Sequence, residues 1–197
     1  MKTRTIKTYE INELAPDIRA HVLDKYRYLD TEITHYEFVV DYWVDRLTEI
    51  GFLEAQIYFD GFGGQGDGAV FEAVIDDNLI LNNLIMCSRP EVGRTVEKCL
   101  WAYENGFAQL RLSRISTSYN HKRTAAIQAV VYSGKMRDSA YWTAVIDDTV
   151  AIVEELRIDL CEQIYADLAS EHEWLTSDKC ITESLEGIEF MADGRPL

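Results

Sequence analysis

Proline, basic residues and long apolar runs are all scarce in this chain. Three prolines and eleven glycines among 197 residues exclude collagen-like and Pro/Gly-rich disordered chains, and a hydrophobic content of 47% leaves enough apolar surface for a core. The longest apolar runs, such as Val150 to Val153, are too short to cross a bilayer, and the opening Met1-Lys-Thr-Arg-Thr-Ile6 has no signal-peptide core. A soluble, cytoplasmic protein is expected, with a single α+β domain over 1–197. The four cysteines, Cys87, Cys99, Cys161 and Cys180, form no CxxC pair, so they read as buried reduced thiols rather than as zinc ligands or a disulfide framework.

What the chain does have is acid, unevenly spread. Against 34 Asp and Glu stand 19 Lys and Arg, for a net charge of -15. Residues 1–137 carry 19 acids and 16 bases, whereas 138–197 carry 15 acids with only Arg157, Lys179 and Arg195 opposing them. A block of this kind repels nucleic acid and anionic membranes and attracts basic surfaces, including those with which proteins hold nucleic acid.

Hydrophobic spacing predicts the elements. Thr3 to Ile11 alternates as a first strand. Asn12 followed by Pro16 marks the start of a helix running through Ile18, Val22 and Tyr26 to about Leu29. Phe38, Tyr42, Leu47 and Ile50, with Val39 and Trp43 alongside, form a second helix that Gly51 stops. Ala55–Asp60 and Ala69–Ile75 are strands separated by Gly61-Phe-Gly-Gly-Gln-Gly-Asp-Gly68 and pair as a hairpin. Helices over Asp76–Met86 and Val92–Asn105 precede a second pair of strands, Gln109–Ser116 and Ala125–Tyr132. A long helix over Ser139–Glu171 carries an apolar stripe of Ile146, Val150, Val153, Leu156, Leu160, Ile164 and Leu168, and a short helix starting at Thr176-Ser177-Asp178 ends the chain. The fold class is α+β, a mainly antiparallel sheet of about five strands covered by helices, with 138–197 as an acidic helical C-terminal part.

Three features are candidates for function. On the long helix, Asp148, Glu155, Asp159 and Glu162 lie opposite the apolar stripe. They read either as a solvated face or as a docking ridge whose spacing of about 5 to 6 Å per step approaches that of successive phosphates, which is DNA mimicry. The Gly61–Gly68 loop reads either as a turn in which Gln65 and Asp67 bond its own amides or as a nest for an anion; it lacks the ending of a P-loop, and a strand, not a helix, follows it. The basic concentration Arg111, Arg114, His121, Lys122, Arg123, Lys135 and Arg137, interleaved with Tyr119 and Tyr132, reads either as a partner for the acidic helix of this or another copy or as a nucleotide-binding face. The histidines are scattered, no nucleophile elbow is present, and carboxylates are too abundant for spacing to single out an acid–base pair; no metal, no cofactor and no enzymatic activity are expected.

Three stretches together carry a resemblance: Ile11-Asn-Glu-Leu-Ala-Pro16 leading to Asp24-Lys-Tyr-Arg27, the hairpin Ile57-Tyr-Phe-Asp-Gly-Phe-Gly-Gly-Gln-Gly-Asp-Gly-Ala69, and Glu173-Trp-Leu-Thr-Ser-Asp178 with Ile188-Glu-Phe190 and Asp193-Gly-Arg195. The chain resembles a group of small acidic proteins of tailed bacteriophages and prophages, some labelled antitoxin-like, whose hairpin follows the pattern IxFxGFxxQGDGA. Gly63 departs from the aromatic or polar residue expected there, and no catalytic residues carry over. The resemblance implies a phage-encoded protein in the bacterial host cytoplasm. With the acidic ridge, it leads to the expectation of a non-enzymatic inhibitor of the anti-CRISPR or anti-restriction type, binding a host defence protein and not nucleic acid or membrane. Trp43, Trp101, Trp142 and Trp174 are many large aromatics for one small core and suggest a homodimer interface. The alternatives are a small-ligand or nucleotide-binding protein using Gln65, Asp67, Arg111, Arg114, Lys122 and Arg123, and the antitoxin of a toxin–antitoxin pair.

Overall fold

The computed structural model describes residues 7–31, 33–87, 90–132, 134–137 and 139–197. Its elements are α1 (Pro16–Tyr26), α2 (Glu37–Ile50), β1 (Phe52–Asp60), β2 (Gly68–Ile75), α3 (Asp77–Cys87), α4 (Pro90–Glu104), β3 (Ala108–Arg114), β4 (Ala125–Val131), α5 (Gly134–Arg137), α6 (Ala140–Leu175) and α7 (Asp178–Ser184). The chain forms two compact units, one of 1–37 with 168–197 and one of 38–167. The acidic C-terminal third is therefore divided, with α6 contributing to both.

In the smaller unit Ile11, Leu14, Val22, Leu23, Ile181, Leu185 and Phe190 pack into one cluster. The start of α1 differs from expectation: Ala15 is the N-cap and Pro16 the first helical residue, because Asn12 is already inside a 3₁₀ turn, Ile11–Glu13. α1 ends at Tyr26 rather than Leu29; beyond it, Arg27 donates to the Thr176 carbonyl at 2.9 Å and pairs with Asp178. Ser177 caps α7 as predicted, accepting the Cys180 N–H.

The larger unit holds the sheets. The expected five-stranded sheet is instead two separate two-stranded antiparallel sheets, β1–β2 and β3–β4. Of the expected first strand, residues 1–6 lie outside the described residues; Tyr9 makes only an isolated bridge to Phe190, and the chain then turns at Ile11. The two hairpins meet through side chains and not through a shared ladder. Arg114 of β3 reaches Glu72 of β2 at 3.6 Å, and Asp60 at the end of β1 accepts both the backbone N–H and the side-chain amide of Asn120, at 2.8 and 2.9 Å.

In α2 the covered seam is Val39, Trp43 and Leu47, whereas Phe38 and Tyr42 are 73% and 52% exposed. Trp43 is buried with its indole N–H on Asp167, which removes it from any interface. Gly51 ends the helix at φ +119°, and a Cβ there would lie 2.8 Å from the Ile80 nitrogen, so only glycine lets α2 turn directly into β1 under α3. α6 packs as its stripe predicts: Ile146, Val153, Leu160, Ile164 and Leu168 are buried. Of the cysteines, Cys99 and Cys161 are buried and Cys180 half-buried, but Cys87, at the C-terminal end of α3, is exposed.

Candidate functional site

Two surfaces of the larger unit bring together the residues singled out above. The first is the outward face of α6. Asp148, Glu155 and Asp159 are exposed there, and among the described residues none of the three enters an ion pair. Glu162 is also exposed, but it is held by the ammonium of Lys122. The basic β3–β4 connection thus neutralises one end of the ridge and leaves the other end open.

The second surface is a cavity of about 270 Å³. Its walls come from three places: Asp67, Gly68 and Ala69 where the glycine loop enters β2; His121, Lys122 and Arg123 from the β3–β4 connection; and Cys161, Glu162 and Tyr165 from α6. Each wall is positioned by identifiable bonds. Asp67 accepts the N–H of Gly64, so the loop's carboxylate folds back on its own backbone, as the turn reading expects of this residue, whereas among the described residues no such bond is made by Gln65. Phe62 stacks on Tyr165 with ring centroids 5.9 Å apart, which fastens the loop to α6. The connection is pinned by the Asp60–Asn120 pair and by Thr124, whose N–H and hydroxyl both donate to the His121 carbonyl.

Gly68 makes the approach of these walls possible. A Cβ at this position would sit 2.7 Å from the His121 Cβ. Replacing Gly68 by Ala is therefore expected to push the His121 segment outward at a cost of about 1 kcal/mol, the low end for overpacking because the neighbour is a loop. Urea unfolding checks the energy, and amide shifts of 119–124 check the displacement.

Beneath the cavity lies Arg157, fully buried. Its guanidinium donates to both oxygens of Glu154, at 2.9 and 2.6 Å, to the Lys122 carbonyl at 2.6 Å and to the Cys161 sulfur at 3.6 Å. Glu154 in turn accepts the N–H of Ile127 at 2.9 Å. One side chain of α6 thereby fixes the backbone of the β3–β4 connection at Lys122. Burial pushes the Cys161 thiol up to about 11, so it lines the cavity as a neutral thiol rather than a nucleophile. Burial, with Asp67 nearby, also raises Tyr165, whose phenol stays protonated and donates to the Gly61 carbonyl at 3.4 Å.

Of the residues selected as ligand-binding, the structure brings Asp67, Lys122 and Arg123 together. It places Gln65 on the exposed part of the loop and Arg111 beside the Tyr132 hydroxyl at 3.2 Å, both away from the cavity. Arg114 is also elsewhere, bonded to Asn120 and the Ser116 carbonyl and lying over the Tyr58 ring. The cavity residues that sequence reasoning did not select are Ala69, Cys161 and Tyr165, and His121 was named in the basic run but not among the ligand-binding residues. Tyr165, four residues after Cys161, shares a helix face with it. Comparison with curated proteins and with solved structures gave no match. A family model, described as Domain of unknown function (DUF8835), matches residues 35–178, which is most of the chain and all of the larger unit, and the protein belongs to that family.

Proposed function

We propose that this protein is a non-enzymatic binding protein that docks the carboxylate face of α6 on a basic surface of a nucleic-acid-handling enzyme, as a phage-encoded inhibitor of a bacterial defence system would. The observation that carries the reading is the exposure of Asp148, Glu155 and Asp159, which enter no ion pair among the described residues, on a helix whose opposite face is core. Unpaired carboxylates on a rigid scaffold keep their full attraction for a basic groove, and they need no rearrangement to meet it. Along the helix axis the three lie about 10 and 6 Å apart at 1.5 Å per residue, together about three steps of the 5 to 6 Å spacing given above, and DNA mimicry is the form of docking this suits.

The homodimer is proposed on the aromatic cluster of the same unit. Trp101, 52% exposed, stacks on Trp142 at 5.9 Å, and Tyr141, 58% exposed, meets Trp142 edge-on. Light scattering at micromolar concentration tests it; a mass of 22.6 kDa rejects it.

The informative variant for docking is charge reversal and not truncation, because removing α6 would remove Val153, Leu160 and Leu168 from the core. Asp148→Lys, Glu155→Lys and Asp159→Lys together change only exposed side chains. The native chain is expected to capture a nucleic-acid-binding enzyme from bacterial lysate at 0.15 M salt and to inhibit its action on DNA. The triple variant should lose at least tenfold in both, with an unchanged circular dichroism spectrum. Capture that persists in the triple variant, or that resists 0.5 M salt, would falsify the docking reading.

A further inference from the structure

Independently of the docking face, we infer that the cavity walled by β2, the β3–β4 connection and α6 is a binding site for a mononucleotide, with the phosphate on Arg123 and His121 and the base against Tyr165. The donors come first. Arg123 is exposed at the rim, and among the described residues it enters no ion pair. The Nδ1 of His121 accepts the Arg123 N–H at 3.1 Å. That bond requires Nδ1 to be unprotonated, which puts the ring proton on Nε2, a second donor without a bonding partner among the described residues. Two donors of this kind on adjacent parts of one short connection match the oxygens of a phosphate monoester.

Of the two carboxylates in the walls, Glu162 is held by Lys122, and Asp67 has one oxygen turned onto the Gly64 amide but keeps its charge, which opposes the phosphate and lowers the affinity expected. Glu162 bonds through Oε1, which leaves its Oε2 able to accept from a base's amino group. Tyr165 supplies an aromatic surface already oriented by Phe62, and base–aromatic stacking is tolerant of base identity. Size sets the upper limit. A cavity of about 270 Å³ lies just under the roughly 300 Å³ at which drug-sized pockets begin, a size that suits one nucleotide. The net charge of -15 opposes every anion at long range, so affinity is expected to be modest and to depend on screening.

Calorimetry and amide-shift titration of the full chain with AMP, UMP, adenosine and inorganic phosphate test the assignment. AMP and UMP should bind with similar submillimolar affinity, and adenosine and phosphate alone at least tenfold more weakly. The shifts should centre on 121–123 and 162–165. Arg123→Ala, a change at an exposed side chain, should weaken AMP tenfold or more while leaving the chain's melting temperature in place, and Tyr165→Leu should weaken AMP more than it weakens phosphate. If AMP causes no shift at about 5 mM, if adenosine binds as well as AMP, or if Arg123→Ala binds AMP like the native chain, the assignment is wrong.

Discussion

Glu154→Ala is expected to cost about 3 to 5 kcal/mol, the largest single effect among exposed or partly exposed positions of this chain. The reason is the asymmetry between a buried ion pair and half of one. Arg157 is 0% exposed, and Glu154 is the carboxylate that meets its guanidinium. Truncating Glu154 leaves a desolvated cation whose remaining partners among the described residues are the Lys122 carbonyl and the Cys161 sulfur, and also strips the Ile127 N–H of its acceptor. With domain stabilities of about 5 to 15 kcal/mol, such a loss consumes a large share of the total. At roughly 2 to 4 °C per kcal/mol for a chain of this size, the melting temperature should fall by about 6 to 20 °C. Adding Arg157→Met should return part of the loss, since an apolar side chain of similar length removes the stranded charge. Urea unfolding of the two single variants and the double variant forms a cycle, and the pair's role as an anchor fails if Glu154→Ala lies within about 1 kcal/mol of the native chain.

The same pair illustrates where sequence reading stops. Arg157 falls four residues after Val153 and four before Cys161, so its place on the buried stripe of α6 was available from spacing alone. Its residue type argued against burial, because an arginine in an acidic segment is ordinarily solvated. The signal that reconciles the two is Glu154, three residues earlier on the same face, which makes burial of the cation affordable. Other parts were legible for local reasons. The two hairpins, the Gly51 helix end and the Ser177 cap all follow from turn and cap chemistry within a few residues.

What spacing did not reveal is how the elements meet. In α2 two apolar rows, Phe38 with Tyr42 and Val39 with Trp43 and Leu47, compete for the core, and periodicity gives no reason to prefer the second. The five-stranded sheet was an extrapolation from strand count; side-chain bonds such as Asp60 to Asn120 join the hairpins without a ladder, and no local pattern encodes that. The cavity is the product of this assembly. Asp67, Lys122 and Glu162 were each visible as charged residues in a loop, a connection and a helix, but their meeting depends on Gly68 allowing the connection to close on β2. The contact of Lys122 with Glu162 pairs the basic hairpin with the acidic helix of its own chain, one of the alternatives for that basic run, at one position among the described residues.

The pH dependence of stability should carry the signature of Asp77. This residue opens α3 and accepts the Leu110 N–H at 2.9 Å, tying the start of α3 to β3. Burial, together with the neighbouring charge of Asp76, raises its carboxyl to about 6, against the pull of the Leu110 bond. An unfolded aspartate titrates near 3.9. Between about pH 4 and 6 the folded chain therefore binds more protons at this site than the unfolded chain, so its contribution to stability falls as pH rises through that window and stays low above it. The full shift corresponds to about 3 kcal/mol, and partial solvent access reduces this to about 2. Asp77→Asn keeps an oxygen for the Leu110 N–H and carries no charge. It is expected to be more stable than the native chain by about 2 kcal/mol at pH 7.5, and to converge with it below pH 4. The difference between the two stability curves isolates this site from the other carboxylates, which titrate in both proteins. Curves that run parallel from pH 4 to 7.5 would show that Asp77 is ionised in the folded chain throughout and that its burial carries no electrostatic cost.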